Sequence, residues 1–248
     1  MRAFLYTGAN PQGLLFDIGA RENRAFALTK NVPEDALLAA GTFLNPNALW
    51  EGIKKNAAPG SALATTPLMV EMQYEQMTQQ KLSALLESIS GEYLVVGRAA
   101  GKGGEFSGEL LVSIPDKDGV LGNLLKQNLG PMLQPGKDGV LLVPRSPDMP
   151  EWVAPQFEIG NGRVIIASNA AIADASRAGN GANGPLFKEV ATLLPQDGKG
   201  SGYFALNIPQ SLLDEAAALV PSMTVKAPAS RLPATRRIGA ATPVEVSL

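Results

Sequence analysis

The sequence predicts an α+β fold: mostly antiparallel sheets with helices on one face, arranged as two related strand–helix units. Three observations lead there. Apolar residues make up 45% of the 248 and charged residues 18%, a balance that fills a buried core and argues against disorder. Short apolar or alternating runs come in pairs joined by glycine-containing turns, the pattern of antiparallel hairpins. A turn–strand–helix pattern at residues 32–55 also returns at residues 194–220.

Taken in order, "GLLFDIG" at residues 13–19 reads as a short strand and "RAFALTK" at 24–30 as a second strand or a short helix. Val32-Pro33 breaks the chain, and residues 36–44, small and apolar, read as a buried strand. Asn45 is placed to accept from a free helix N–H, and Pro46 suits the first helical position. Leu49, Trp50 and Ile53 share one face of the helix that follows. "NAAPGSALATTP" reads as a loop. Leu68, Val70, Met72 and Tyr74 alternate with Glu71, Gln73 and Glu75, which is strand periodicity. Thr78 is expected to cap a helix carrying Leu82, Leu85, Leu86 and Ile89, stopped by Gly91.

"EYLVVGRA" and "GELLVSIP" form a predicted hairpin around "AGKGGEFS". Asp116 is expected to cap a helix bearing Val120, Leu121, Leu124, Leu125 and Leu129, ended by Gly130-Pro131. "DGVLLVPR" reads as a strand and "SPDMPEWVAP" as a loop around Trp152. In "PQFEIGNGRVIIASN", Asn161-Gly162 favours the positive backbone angles of a tight hairpin turn. Asn169 caps a helix over 170–178, "GNGANG" is a connector, and 186–194 is a short helix. The echo then matches Pro33 with Pro195, Asp35 with Asp197, the strand holding Phe43 with 203–206, and Pro46 and Leu49 with Pro209 and Leu212. This recurrence is read as an internal duplication and as a structural module first. The predicted division is a first unit over residues 1–90, a second over 91–222, and a poorly ordered tail over 223–248.

The composition removes much chemistry. There is no histidine and no cysteine, which excludes His-based triads, cysteine nucleophiles, disulfides and zinc sites built from those residues. Net charge is −2 with both signs interspersed, so neither nucleic acid nor an anionic membrane is indicated as partner. No run approaches transmembrane length, and the start "MRAFLYTGANPQG" is too short in its apolar part for a secretory signal.

The remaining motifs read structurally. "GRAAGKGG" at 97–104 lacks the Walker spacing and its hydroxyl, and a strand follows it instead of a helix. "GNGANG" at 179–184 matches G-x-G-x-x-G but follows a helix, whereas the dinucleotide motif follows a strand. "DKDG" at 116–119 opens like a calcium loop, yet Val120 and Gln127 stand where oxygen ligands are needed. Glu87, Glu92, Glu105 and Glu109 cluster around one helix end and hairpin. Two of them brought together would make an acid–base pair, but solvated surface explains them better. Ser168 and Asn169 lack a nucleophile elbow. Trp50 lies on an apolar helical face and reads as core, while Trp152, in its proline-rich loop, is the candidate partner contact. No catalytic, cofactor or metal residue is predicted.

The stretches "VPEDALLAAGTFLNPNALW", "LLESISGEYLVVG", "GELLVSIPDKDGVLGNLLKQ", "NGRVIIASNAAIADA" and "LFKEVATLLPQDGKGSGYFALNIPQSLL" together resemble a family of bacterial, mostly exported proteins defined only as a domain of unknown function. The resemblance covers roughly residues 32–220 and carries over no catalytic residue or cofactor. Family members begin with a signal peptide or membrane anchor and a first proline-acid segment. The resemblance therefore implies that this chain is a fragment or an altered reading frame. It places the full-length protein outside the cytoplasm, periplasmic or membrane-anchored, with membrane association only through a missing N-terminal anchor. The expected function is a non-enzymatic binding or scaffold protein, with an unknown protein or an apolar ligand as partner. Two alternatives stand beside it: a carrier holding an apolar ligand between sheet and helices, and a carboxylate-based hydrolase.

Overall fold

Asn45 and Asn169 each end a strand and start a helix, and much of the architecture hangs on such local signals. The computed structural model describes residues 24–57, 62–100, 107–150, 152–179, 199–200 and 202–206. In chain order β1 (Arg24–Ala25) leads through a 3₁₀ helix (Ala27–Asn31) to β2 (Leu38–Leu44). Three helices follow: α1 (Pro46–Asn56), α2 (Ala62–Thr78) and α3 (Leu82–Ser88). Then come β3 (Gly91–Ala100), β4 (Ser107–Pro115), α4 (Val120–Asn128), β5 (Gln134–Pro135) and β6 (Leu141–Leu142). The hairpin β7 (Gln156–Gly160) and β8 (Arg163–Ala167), α5 (Ala170–Ala178), β9 (Lys199–Gly200) and β10 (Gly202–Leu206) complete it.

Eight strands form one sheet in the order β10-β2-β3-β4-β8-β7-β6-β5, antiparallel at every pairing, and β1 pairs with β9 in a separate two-stranded ribbon. The α+β class is thus observed. The sheet draws on both sides of residue 90, since β2 lies between β3 and β10.

The caps act as the sequence indicates. Asn45 Oδ1 accepts from the Ala48 N–H at 3.0 Å with Pro46 in the first turn, and Asn169 Oδ1 accepts from the Ile172 N–H at 3.1 Å. Asn161 and Gly162 turn the β7–β8 hairpin with φ of 51° and 70°.

Alternation decides what each sheet face holds. On one face Ala39, Leu94, Val96, Leu111 and Ala167 bury against Val32 and Ala36 and against Ile172 and Ala173 of α5. Burying each of the larger aliphatic side chains contributes roughly 1.5–3 kcal/mol. Beside them Phe26 stacks on Phe43 at 5.0 Å and meets Tyr203 edge-on at 4.9 Å. Gly41 makes this packing possible: a Cβ there would lie 2.3 Å from the Tyr203 ring.

Several expectations are corrected. Residues 68–74 are not a strand but the middle of α2, and the expected loop at 56–67 ends at or before Ala62, where α2 begins. The segment 62–78 has no glycine and is rich in Leu, Met, Gln and Glu, good helix formers, so the apparent alternation was a coincidence of composition. Thr78 does not cap α3. Its Oγ1 donates to the Tyr74 carbonyl at 2.7 Å and closes α2, whereas α3 follows Lys81 with no side-chain cap. The strand expected at "DGVLLVPR" shrinks to Leu141–Leu142, preceded by a 3₁₀ turn in which Asp138 has φ of 56°.

Helices also occupy both faces. α5 packs on the Leu94–Leu111 face, but Gly122 of α4 rests on Ile159, whose partner Val164 points the other way from Ile165. The strand at 13–19, the loop 101–106, the helix at 186–194, the second helix of the echo and the tail lie outside the described residues.

Candidate functional site

A groove of about 800 Å³ opens on the α5 face of the sheet, between α5 and the 3₁₀ helix Ala27–Asn31 on one side and residues 137–142 on the other. Leu94, Leu111, Ile165 and Leu142 give it an apolar lining. Arg163, Arg177, Lys137, Glu158, Asp174 and Asp138 supply charge of both signs.

Arg163 is the central polar group. The hairpin turn delivers it to the first position of β8, opposite Pro115. Its Nε donates to Ser113 Oγ at 2.7 Å, and Nη2 donates to the carbonyls of Glu92 at 2.6 Å and Ser113 at 3.2 Å. Burial draws the guanidinium pKa down, and the nearby Glu92 opposes that shift. The wall beside it is a chain of polar contacts. Gln156 Nε2 donates to Glu158 Oε1 at 3.1 Å, and Arg177 of α5 bridges Glu158 and Asp174.

Glu92, only 8% exposed, has a structural duty. Its two oxygens accept from the N–H groups of Ala27 at 3.0 Å and Leu28 at 2.9 Å, so it caps the 3₁₀ helix from the neighbouring strand. Burial pushes its carboxyl above the ordinary 4.5, although the Leu28 and Ala27 N–H groups and Arg163 pull the other way. A carboxyl raised on folding contributes stability that is full below its ordinary pKa and is lost as pH rises through the raised one. The stability advantage of the wild-type chain over Glu92→Gln is therefore expected to be larger at pH 4 than at pH 7 in urea unfolding. The reverse order would mean that the capping N–H groups and Arg163 outweigh desolvation.

The other acids are equally committed. Glu109 accepts from Asn169 Nδ2 at 2.9 Å and pairs with Arg98 Nε, and Arg98 reaches Asp35 at 3.3 Å. Asp35, in the turn before β2, thus ends an ion-pair chain. Arg98 faces Glu109 in the β3–β4 register, while Glu92 is six residues along the same strand, roughly 20 Å away. The structure does not bring Glu92 and Glu109 together. Glu87 is exposed and accepts from Asn47 Nδ2 at 3.3 Å, and Glu105 lies outside the described residues.

Asp116 accepts from Ser88 Oγ and from the Leu121 and Gly122 N–H groups. Its oxygens cap α4 rather than face a cation. Among the described residues no group of three or more Asp or Glu is placed to hold a metal.

Ser168 Oγ accepts from the Leu110 N–H at 3.0 Å and extends the β4–β8 pairing. Gly97 lies within β3 under Leu38, and Gly179 ends α5 with φ of 71°. Trp50 is half-buried, its Nε1 donating to Glu71 at 2.8 Å, so it ties α1 to α2.

Trp152 is half-buried in its loop and does not line the groove. Its carbonyl accepts from Asn169 Nδ2 at 3.0 Å. Arg163 went unremarked in the sequence, yet a signal was present. In "RVIIA", residues 163, 165 and 167 share a face, and a cation there with Ile165 and Ala167 must be buried and partnered.

Comparison of the chain with protein-family models, curated proteins and solved structures finds no match. Among the described residues no helix is long and apolar enough to cross a membrane.

Proposed function

We propose that this chain is a bacterial, extracytoplasmic, non-enzymatic binding or scaffold protein that engages its ligand in the groove beneath α5. The observation that carries this reading is the groove itself, an apolar lining with a rim of both charge signs. Such a surface suits a ligand or peptide segment with an apolar body and charged ends. Two acids that line the groove support binding over catalysis, because Glu158 and Asp174 are both engaged by Arg177 and Glu158 also accepts from Gln156. The extracytoplasmic placement rests on the family resemblance, and an export signal or anchor in the flanking reading frame would support it.

The internal duplication belongs to the same reading. Its two echoing strands, β2 and β10, lie side by side and antiparallel, with Ala39 opposite Ala205. Related halves would meet in this way around a local two-fold axis.

Ligand-observed NMR with a panel of short zwitterionic and amphipathic peptides tests the groove. Binding is expected to the wild-type chain and to be lost in Ile165→Trp, which fills the groove. Binding that survives this filling, or none across the panel, would overturn the assignment.

The apolar-carrier reading has one observation of its own, a shallow depression of about 410 Å³ lined by Ala40, Tyr93, Val95 and Phe204. Native mass spectrometry of the purified chain without co-purifying lipid would remove it.

A further inference from the structure

The second helix is built inside out. Pro67, Glu71, Tyr74 and Thr78 of α2 point toward the protein, where Glu71 accepts from both Trp50 Nε1 and Lys54 Nζ. Leu68, Met69, Met72 and Met77 point to solvent and are 59%, 66%, 53% and 79% exposed. A surface helix that packs by its apolar stripe shows the opposite arrangement.

We propose that this outward face of α2 is the contact through which two copies of the chain associate. The face between the apolar residues carries Thr65, Thr66, Gln73 and Gln76, and on α2 itself the charge that flanks it is Glu75. A neutral face meets its own copy across a two-fold axis without like-charge repulsion. Methionine suits such a seam because its unbranched chain adapts to a facing surface.

The four apolar side chains expose on the order of 500 Å² per copy, so a two-fold pair that covered them all would bury roughly 1,000 Å², the size of a weak, transient contact. A lipid surface fits less well. Interfacial helices carry Lys and Arg toward the headgroups, whereas α2 has no basic residue and two acids.

Sedimentation velocity of the full chain across about 1–200 μM tests this, since interfaces of this size hold near the micromolar range. A dimer is expected, weakened at least about tenfold in Met72→Glu, because a charge at the seam centre has no partner. The melting temperature should stay within about 2 °C, the site being exposed.

The chain has no cysteine, so Met72→Cys reports only its own contact. Under mild oxidation it is expected to cross-link far faster than Lys126→Cys, an exposed control on α4. A monomer at every concentration, or a dimer indifferent to Met72→Glu, would overturn the proposal. So would a monomeric chain that sediments with phosphatidylcholine vesicles through α2.

Discussion

Asp116→Ala is expected to lower the unfolding free energy by about 3–4 kcal/mol, read from urea unfolding. Asp116 is 2% exposed and sits where three elements meet. Oδ1 accepts from Ser88 Oγ of α3 at 2.8 Å and from the Leu121 N–H at 3.0 Å, and Oδ2 accepts from the Gly122 N–H at 2.8 Å. Alanine leaves all three donors without an acceptor, and each orphaned buried donor costs about 1–3 kcal/mol. Two of these donors are the second and third N–H groups of α4, so the loss includes that helix's cap, about 1 kcal/mol by itself.

Space at the site is tight. A Cβ on Gly122 would stand 2.3 Å from Ile159 Cγ2 and 3.0 Å from Asp116 Oδ2, which limits room for a replacing water. Asp116→Asn keeps one oxygen but turns an NH₂ toward an N–H, so it should fall between alanine and wild type. A loss under about 1 kcal/mol for alanine would show that water substitutes for the carboxylate.

Glu109→Ala is expected to cost about 3–5 kcal/mol, because it strands a buried guanidinium. The side chains of Arg98 and Glu109 are 14% and 4% exposed, and Asn169 Nδ2 also donates to Glu109 at 2.9 Å. Removing the acid alone leaves the Arg98 charge desolvated, with Asp35 at 3.3 Å its remaining ion-pair partner among the described residues.

The double change Glu109→Leu with Arg98→Met should recover most of the loss, since an apolar pair of similar volume needs no solvation. Asp35→Ala should cost at most about 1 kcal/mol, because its carboxylate is 64% exposed and screened. A thermodynamic cycle over Arg98 and Glu109 in chemical denaturation checks this. Simple additivity of the two single losses would mean that the pair is not coupled.

What could be read in advance was whatever a few neighbouring residues encode. Asn45 and Asn169 each accept from an N–H three residues on, Asn161-Gly162 turns the chain so that Gly160 pairs with Arg163, and each appears where the sequence places it. Asp116 was legible as a cap, although it acts from outside the helix, three residues before Gly119. Residues 68–74 mislead because alternation signals a strand only where one face is buried. In α2 the apolar side chains face solvent, so their spacing records no packing.

The candidate site was barely legible. Its groove joins β4, β7, β8, α5 and a 3₁₀ helix from distant parts of the chain, and no short motif announces it. Arg163 meets Ser113 and Glu92 across separations of 50 and 71 residues, and such partners are chosen by strand order alone.

From the residues alone follow the α+β class, the hairpins, the caps at Asn45, Asp116 and Asn169, and the chemistry that the lack of His and Cys rules out. Those follow from backbone satisfaction over a few residues and from composition. Long-range packing adds the rest: β10 lies against β2, helices cover both sheet faces, Glu92 and Glu109 serve as structural acceptors, and Ser88 joins the cap at Asp116. The physical reason is that a buried carboxylate must find donors, and which donors lie within 3 Å depends on how distant segments pack.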